Sequence, residues 1–214
     1  SDITVPTLCT GITQGTVAKL LSSSDITENS RGEVSAIKTT DGKIYMAGKG
    51  DNYCIPGKTS DQTSFTDVTS YFGDQSLTSN NVVFVGGGER SCVSLTESGN
   101  VWTWGTHNST YWNLGQGTGA SSSNTPKQIT FGGVTDNISR VAVGHDHGVA
   151  LDTDGDVWFW GQIWARTGRG LYIIQSPRPV CVISGAKTSD FRRLTVPCWV
   201  PRFRRGLFYC TDLQ

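Results

Sequence analysis

No run of about 18 apolar residues occurs anywhere in the 214-residue sequence, which excludes a membrane-spanning helix. Methionine appears once, and Ala, Leu, Glu and Lys are sparse, so long helices are not expected. Charged residues make up only 17% and apolar residues 36%, both below the usual globular shares. The opening Ser1-Asp2-Ile3-Thr4 has neither the basic start nor the apolar middle of a signal peptide. A start without Met leads us to expect that an upstream segment was removed by processing or by cloning. What is abundant points one way: 26 glycines, seven tryptophans and many Ser and Thr suit short strands and tight turns. The length allows a core that buries roughly 70% of the surface an unfolded chain exposes.

Formal net charge is zero, yet its distribution is uneven. Residues 1–162 carry 9 Lys or Arg against 16 Asp or Glu, and residues 163–214 carry 9 against 2. The chain is therefore an acidic body with a basic tail. Such a tail could bind nucleic acid, an anionic surface or the protein's own body.

Cys9, Cys54, Cys92, Cys181, Cys198 and Cys210 are even in number but scattered, with no Cys-x-x-Cys pair and no His at zinc-ligand spacing. No zinc site is expected. Two states stay open: three disulfides in an oxidising compartment, or six free thiols packed as small hydrophobes. The first would agree with glycosylation at the sequons Asn108-Ser109-Thr110 and Asn137-Ile138-Ser139.

An internal repeat organises the chain. Asp41-Gly42-Lys43-Ile44-Tyr45-Met46-Ala47-Gly48 recurs as Ser98-Gly99-Asn100-Val101-Trp102-Thr103-Trp104-Gly105 and as Asp154-Gly155-Asp156-Val157-Trp158-Phe159-Trp160-Gly161, with closing glycines 57 and 56 residues apart. Each copy reads as a hairpin with a turn at Asp-Gly or Ser-Gly. Upstream, Gly88-Glu89-Arg90-Ser91-Cys92-Val93-Ser94-Leu95 aligns with Gly144-His145-Asp146-His147-Gly148-Val149-Ala150-Leu151 in the same register. Downstream, Asn113-Leu114-Gly115-Gln116-Gly117 leads to Asn124-Thr125-Pro126. A comparable glycine and proline occur at Ile55-Pro56-Gly57, and at Thr167-Gly168-Arg169-Gly170 with Ser176-Pro177.

This pattern resembles the regulator of chromosome condensation repeat family, whose units run from a Gly-x-x-His-Ser-x-Ala-Leu strand through an Asp-Gly turn to a Val-aromatic-x-Trp-Gly strand. His147, Ala150, Leu151, Asp154, Gly155, Val157, Trp160 and Gly161 occupy the pattern positions, with Gly148 where a small hydroxyl residue is usual. The resemblance implies an all-β fold: a partial or open β-propeller of about three to four blades over residues 31–180. Residues 1–30 would form an N-terminal segment contributing part of a blade, and 181–214 a basic, atypical tail. Family members usually close seven blades. Three leave an open arc, completed by another protein or by further copies, or plugged by the tail.

Within the tail the repeat stops, and eight of the eleven arginines lie at or beyond Arg166. The break suggests a different origin for this segment, such as an alternative exon or a shifted frame. Its apolar residues beside arginines lead us to expect an ordered, at least partly buried tail that docks on a terminal blade or bridges to a second chain.

Catalytic, cofactor and metal sites are not expected. His145-Asp146-His147 could gather a metal, but the resemblance gives His147 a structural role bracing the blade. Asp152-Thr153-Asp154-Gly155-Asp156 starts like a calcium loop, yet Ile163 stands where the bidentate Glu belongs. Gly86-Gly87-Gly88 lacks the Lys-Ser/Thr of a phosphate loop and fits close strand approach near a propeller axis. Trp104 and Trp160 are expected between blades. Tyr111 and Trp112, large aromatics in a loop, are candidate partner anchors. Arg202, Arg204 and Arg205 flank Phe203 and form a second candidate surface.

The resulting function is a non-enzymatic scaffold for protein–protein contact. Two alternatives are nucleotide exchange on a small GTPase, as some relatives perform, and an extracellular or virion structural protein that binds a receptor or glycan. Nucleic acid is disfavoured because the body is acidic.

Overall fold

The computed structural model describes residues 11–13, 16–24, 34–73, 82–88, 90–133, 137–167, 170–183, 202–204 and 207–209. Three successive antiparallel sheets of four strands account for most of them. The first orders β1 (Val17–Leu20), β3 (Val34–Thr39), β4 (Ile44–Gly48) and β5 (Gln62–Asp67). The second repeats that order with β6 (Val82–Gly87), β7 (Ser91–Thr96), β8 (Val101–Gly105) and β9 (Ser123–Ile129). The third uses β10 (Ile138–Val143), β11 (His147–Asp152), β12 (Val157–Thr167) and β13 (Gly170–Ile183). Between β1 and β3, β2 (Ser22–Ser24) leaves the first sheet and pairs in parallel with β6 of the second. One single-turn helix, α1 (Ser70–Gly73), follows β5.

The repeated turns have one geometry. Gly42, Gly99 and Gly155 take φ of 84°, 86° and 90°, and each donates its N–H to the carbonyl three residues back, at Thr39, Thr96 and Asp152. The amides of Thr39, Thr96 and Asp152 in turn donate to Lys43, Asn100 and Asp156. This is a three-residue hairpin loop closed by a left-handed residue, a conformation that side chains resist and glycine accepts.

The sheets pack face to face, and their facing side chains form two apolar seams. Val34, Ile44, Met46 and Ile55 of the first blade meet Val85, Cys92 and Trp104 of the second. Val93, Leu95 and Val101 of the second blade meet Ile138, Ala150 and Trp160 of the third, with Phe131 between them. Near the start of the second and third blades the chains converge. A Cβ added at Gly88 would lie 2.2 Å from the Gly144 carbonyl oxygen, which is why this position carries no side chain. At the opposite end of the arc β1 is exposed along its length, with Leu20 75% accessible.

The third blade departs from the expected pattern. After Gly161 the described residues do not form a loop like the one after Gly105. Instead β12 runs on to Thr167 and pairs with β13 from Gln162↔Gln175 out to Thr167↔Gly170. The β-branched and aromatic run Ile163-Trp164-Ala165 opposite Tyr172-Ile173-Ile174 favours a two-stranded ribbon. Ser176 nonetheless pairs with Gly161 as Ser123 pairs with Gly105, so the blade itself keeps register.

Strands β14 (Arg202–Arg204) and β15 (Leu207–Tyr209) form a hairpin beside β12 and β13. The rest of the tail from residue 184 onward, including Arg205, lies outside the described residues. So do the side chains of Arg202 and Arg204, and with them the expected docking of the tail.

Candidate partner-binding surface

Two loops, residues 49–61 after β4 and 106–122 after β8, carry the most distinctive local structure. Each opens on a polar clasp. In the first, Lys49 Nζ and Asp61 Oδ2 are 2.8 Å apart, and the Gly50 amide donates to the other carboxylate oxygen at 3.2 Å. The Lys49 hydrogen bond, ahead of the backbone amides, holds the Asp61 carboxyl below its usual range. In the second, Asn108 Oδ1 accepts the amides of Thr110 and Tyr111, while Asn113 Oδ1 accepts the amide of Asn108 and its Nδ2 donates to Thr106 O. Asparagine suits these positions because its side chain imitates a backbone turn.

The clasps lead to equivalent residues. Tyr53 and Trp112 are the two non-glycine residues with positive φ among those described, at 60° and 51°. Their amides donate back to Gly50 O and Asn108 O. The next two residues turn inward, with Ile55 and Leu114 fully buried. A left-handed backbone costs a bulky residue about 1 kcal/mol or more, so each aromatic is held there by the loop around it. Tyr53, Tyr111 and Trp112 are all half-buried.

Each loop also clamps the following blade. The Gly57 amide donates to Asn124 O on β9 at 3.1 Å, and the Gly117 amide donates to Pro177 O on β13 at 2.7 Å. The indole N–H of Trp104 donates to Cys54 O at 2.9 Å. Trp160 packs instead against Gly115, where an added Cβ would come within 2.7 Å of the indole. Trp104 and Trp160 are buried at these seams, edge-on to Phe72 and Phe131 with ring centroids 5.8 and 6.0 Å apart. Gly148, the departure from the repeat pattern, lies under Trp160: a Cβ there would fall 2.0 Å from the ring. Its counterpart one repeat earlier, Cys92, faces Trp104.

The second loop also walls a polar cleft of about 230 Å³ between the second and third blades, lined by Gln116, Ala120, Lys127, Gln128, Ile129 and Arg178 among others. None of its lining residues is acidic, which is notable in a body with an acidic excess. His107, at the root of the loop, has its basicity lowered by burial, and neither ring nitrogen meets a partner.

The His145-Asp146-His147 segment is divided. His145 Nδ1 lies 2.7 Å from Asp146 Oδ2 near the surface, while His147 is buried against Phe159 and beneath Gly144. Asp152 caps its turn: Oδ1 accepts the amides of Asp154 and Asp156, and Oδ2 accepts the indole N–H of Trp158. Among the described residues, no three His, Cys, Asp or Glu side chains converge as a metal site would require. Sequence reasoning named Trp112 but not Tyr53, because the two loops differ in length and the pair falls 59 residues apart, off the repeat offset.

Repeated four-stranded blades packed face to face and clamped in series define a β-propeller sector. Residues 98–151 match the family model for the Regulator of chromosome condensation (RCC1) repeat. Human E3 ubiquitin-protein ligase HERC2 is 31% identical over 129 residues, and the mouse protein 32%, covering 60% of this chain and 2% of each relative. The crystal structure of human WBSCR16 superposes with a TM-score of 0.56 at 21% identity, over 87% of this chain and 42% of that one. Prp20p of Saccharomyces cerevisiae, studied with its binding properties to Gsp1p and histones, gives 0.53 at 16% identity, over 81% and 40%. The same yeast protein bound to Kap60 gives 0.52 at 18%, over 81% and 38%. Over residues 98–151 the chain carries a regulator of chromosome condensation repeat, and its fold resembles the propellers built from that repeat. It spans about 2% of the curated relatives it matches and about two-fifths of the solved chains.

Proposed function

We propose that this propeller sector is a rigid, non-enzymatic platform that binds another protein through the loops after β4 and β8. One observation carries the reading: Tyr53 and Trp112 hold the same left-handed conformation at equivalent positions of successive blades, and both are only half-buried. Aromatics fixed on a stiff scaffold make good anchors, because they contribute contact area with little entropy left to lose. Tyr111 extends this surface, and Lys127 and Arg178 beside it suit a partner with acidic groups. The open edge at β1 supports completion of the ring by further blades, from another protein or from copies of this chain. Arg202, Arg204 and Arg205 are a second, separate candidate surface. The blades would occupy residues 31–180, with β1 supplied by the N-terminal segment. The yeast relative's contacts with Kap60, Gsp1p and histones agree with a family that works by binding proteins.

A photo-crosslinking residue placed at position 111 of the full chain tests the proposal. The expected result is a discrete adduct with a second protein that is absent when the same group is placed at Ser98, in a hairpin turn. Equal labelling from both positions would overturn it, and stimulated nucleotide release from a small GTPase would favour the exchange-factor reading instead.

A further inference from the structure

Three of the six cysteines lie among the described residues, and two of them meet. Cys54 is carried by the 49–61 loop of the first blade, and Cys92 by β7 of the second. Both are buried in the same seam, at 0% and 1% exposure. Cys92 Sγ points at the Cys54 main chain, with its thiol donating to Cys54 O at 3.6 Å, while Cys54 Sγ–H reaches Asn52 O at 3.7 Å. Burial first, and then hydrogen bonding and charge coupling with the Cys54 thiol, push the Cys92 thiol well above its ordinary value. The Cys92 thiol thus reaches residue 54 across a blade boundary, with both sulfurs in one buried seam. Cys181, by contrast, is exposed.

We propose that Cys54 and Cys92 are a covalent modification site: a disulfide that joins the first blade to the second, formed by exchange with a small disulfide oxidant such as glutathione disulfide. The Cys54 thiolate attacks one sulfur of the oxidant and releases the first glutathione. The Cys92 thiolate then displaces the second glutathione from the Cys54 sulfur. The cysteines lose two electrons and two protons, and one glutathione disulfide becomes two glutathione thiols, so the exchange balances. Timing follows from burial. In the docked state both sulfurs are buried out of reach of an oxidant, and an accessible thiolate is the reacting species, so exchange takes place while the 49–61 loop is undocked. Closing a loop of 38 residues then restricts the unfolded chain and holds the seam shut.

The full-length chain is unfolded under reduction, refolded in a glutathione redox buffer, quenched with an alkylating agent and digested with trypsin. The peptides 50–58 and 91–127 should be recovered as one linked species, lighter than their sum by two hydrogens. The oxidised protein should melt roughly 6–15 °C above the reduced one. In Cys54→Ser the linked species should vanish while Cys181 still reacts with alkylating agent in the folded protein. Recovery of both peptides singly alkylated would overturn the proposal, as would either peptide linked mainly to another cysteine. Because the mapping is done on the unaltered chain, the result stands even where Cys54→Ser fails to fold.

Discussion

The indole N–H of Trp158 donates to Asp152 Oδ2 at 2.9 Å, whereas Trp102, its counterpart one repeat earlier, buries its N–H without an acceptor. Thr96 stands where Asp152 would be, and its hydroxyl oxygen accepts the Asn100 amide instead. Asp152→Ala strips three donors of their acceptor and should cost about 2–3 kcal/mol. Thr96→Asp transplants the cap and should gain about 1 kcal/mol, the carboxylate's desolvation offsetting part of the new bonds. Urea unfolding of both variants checks the pair; a loss in Thr96→Asp would mean that desolvation wins.

Trp104→Ala and Trp160→Ala should each lose about 3–5 kcal/mol, since each empties a seam between blades. Gly148→Ser restores the residue type usual in the repeat, yet here it should destabilise by about 1–3 kcal/mol, because Trp160 occupies the space. Thermal melts would show both effects, and an unchanged Gly148→Ser would refute the tight packing.

Glycine accepts the left-handed backbone that Tyr53 and Trp112 adopt under strain. Tyr53→Gly and Trp112→Gly should therefore stay within about 1 kcal/mol of the parent, relief of strain offsetting lost ring contacts. Adduct formation from position 111 should nevertheless fall sharply. A variant that melts early would instead assign these rings to the fold.

His107 has a folded-state basicity below its unfolded value of 6.5, so the unfolded chain binds the extra proton. Stability from this group is complete above pH 6.5 and drains away as pH falls below it. Urea midpoints taken at pH 7.5 and pH 5 should show a smaller acid loss in His107→Leu than in the parent. An identical loss would place the sensitivity elsewhere.

Much of this architecture was legible because it is repeated. Gly42, Gly99 and Gly155 announce the hairpins, and Trp104 and Trp160 announce the seams, since a residue kept at one offset answers one physical demand. Gly88 was legible for the same reason: Gly144 repeats it, and a position without a side chain marks a place where strands nearly touch. The loops were harder to read. Tyr53 and Trp112 share a conformation that depends on Gly50 and Asn108 three and four residues away, and unequal loop lengths hide the match. Nothing in Ser22-Ser23-Ser24 foretells parallel pairing with β6, which arises from the neighbouring blade. The ribbon beyond Gly161 replaced an expected loop because Ile163 and Ile174 favour strands over turns.

The clamps Gly57–Asn124 and Gly117–Pro177 tie the first blade to the second and the second to the third, each at its own junction. Mechanical load applied to the two ends of the arc would therefore concentrate on one interface at a time. Stretching should produce a sawtooth of separate yielding events, one for each clamped junction, in place of a single rupture.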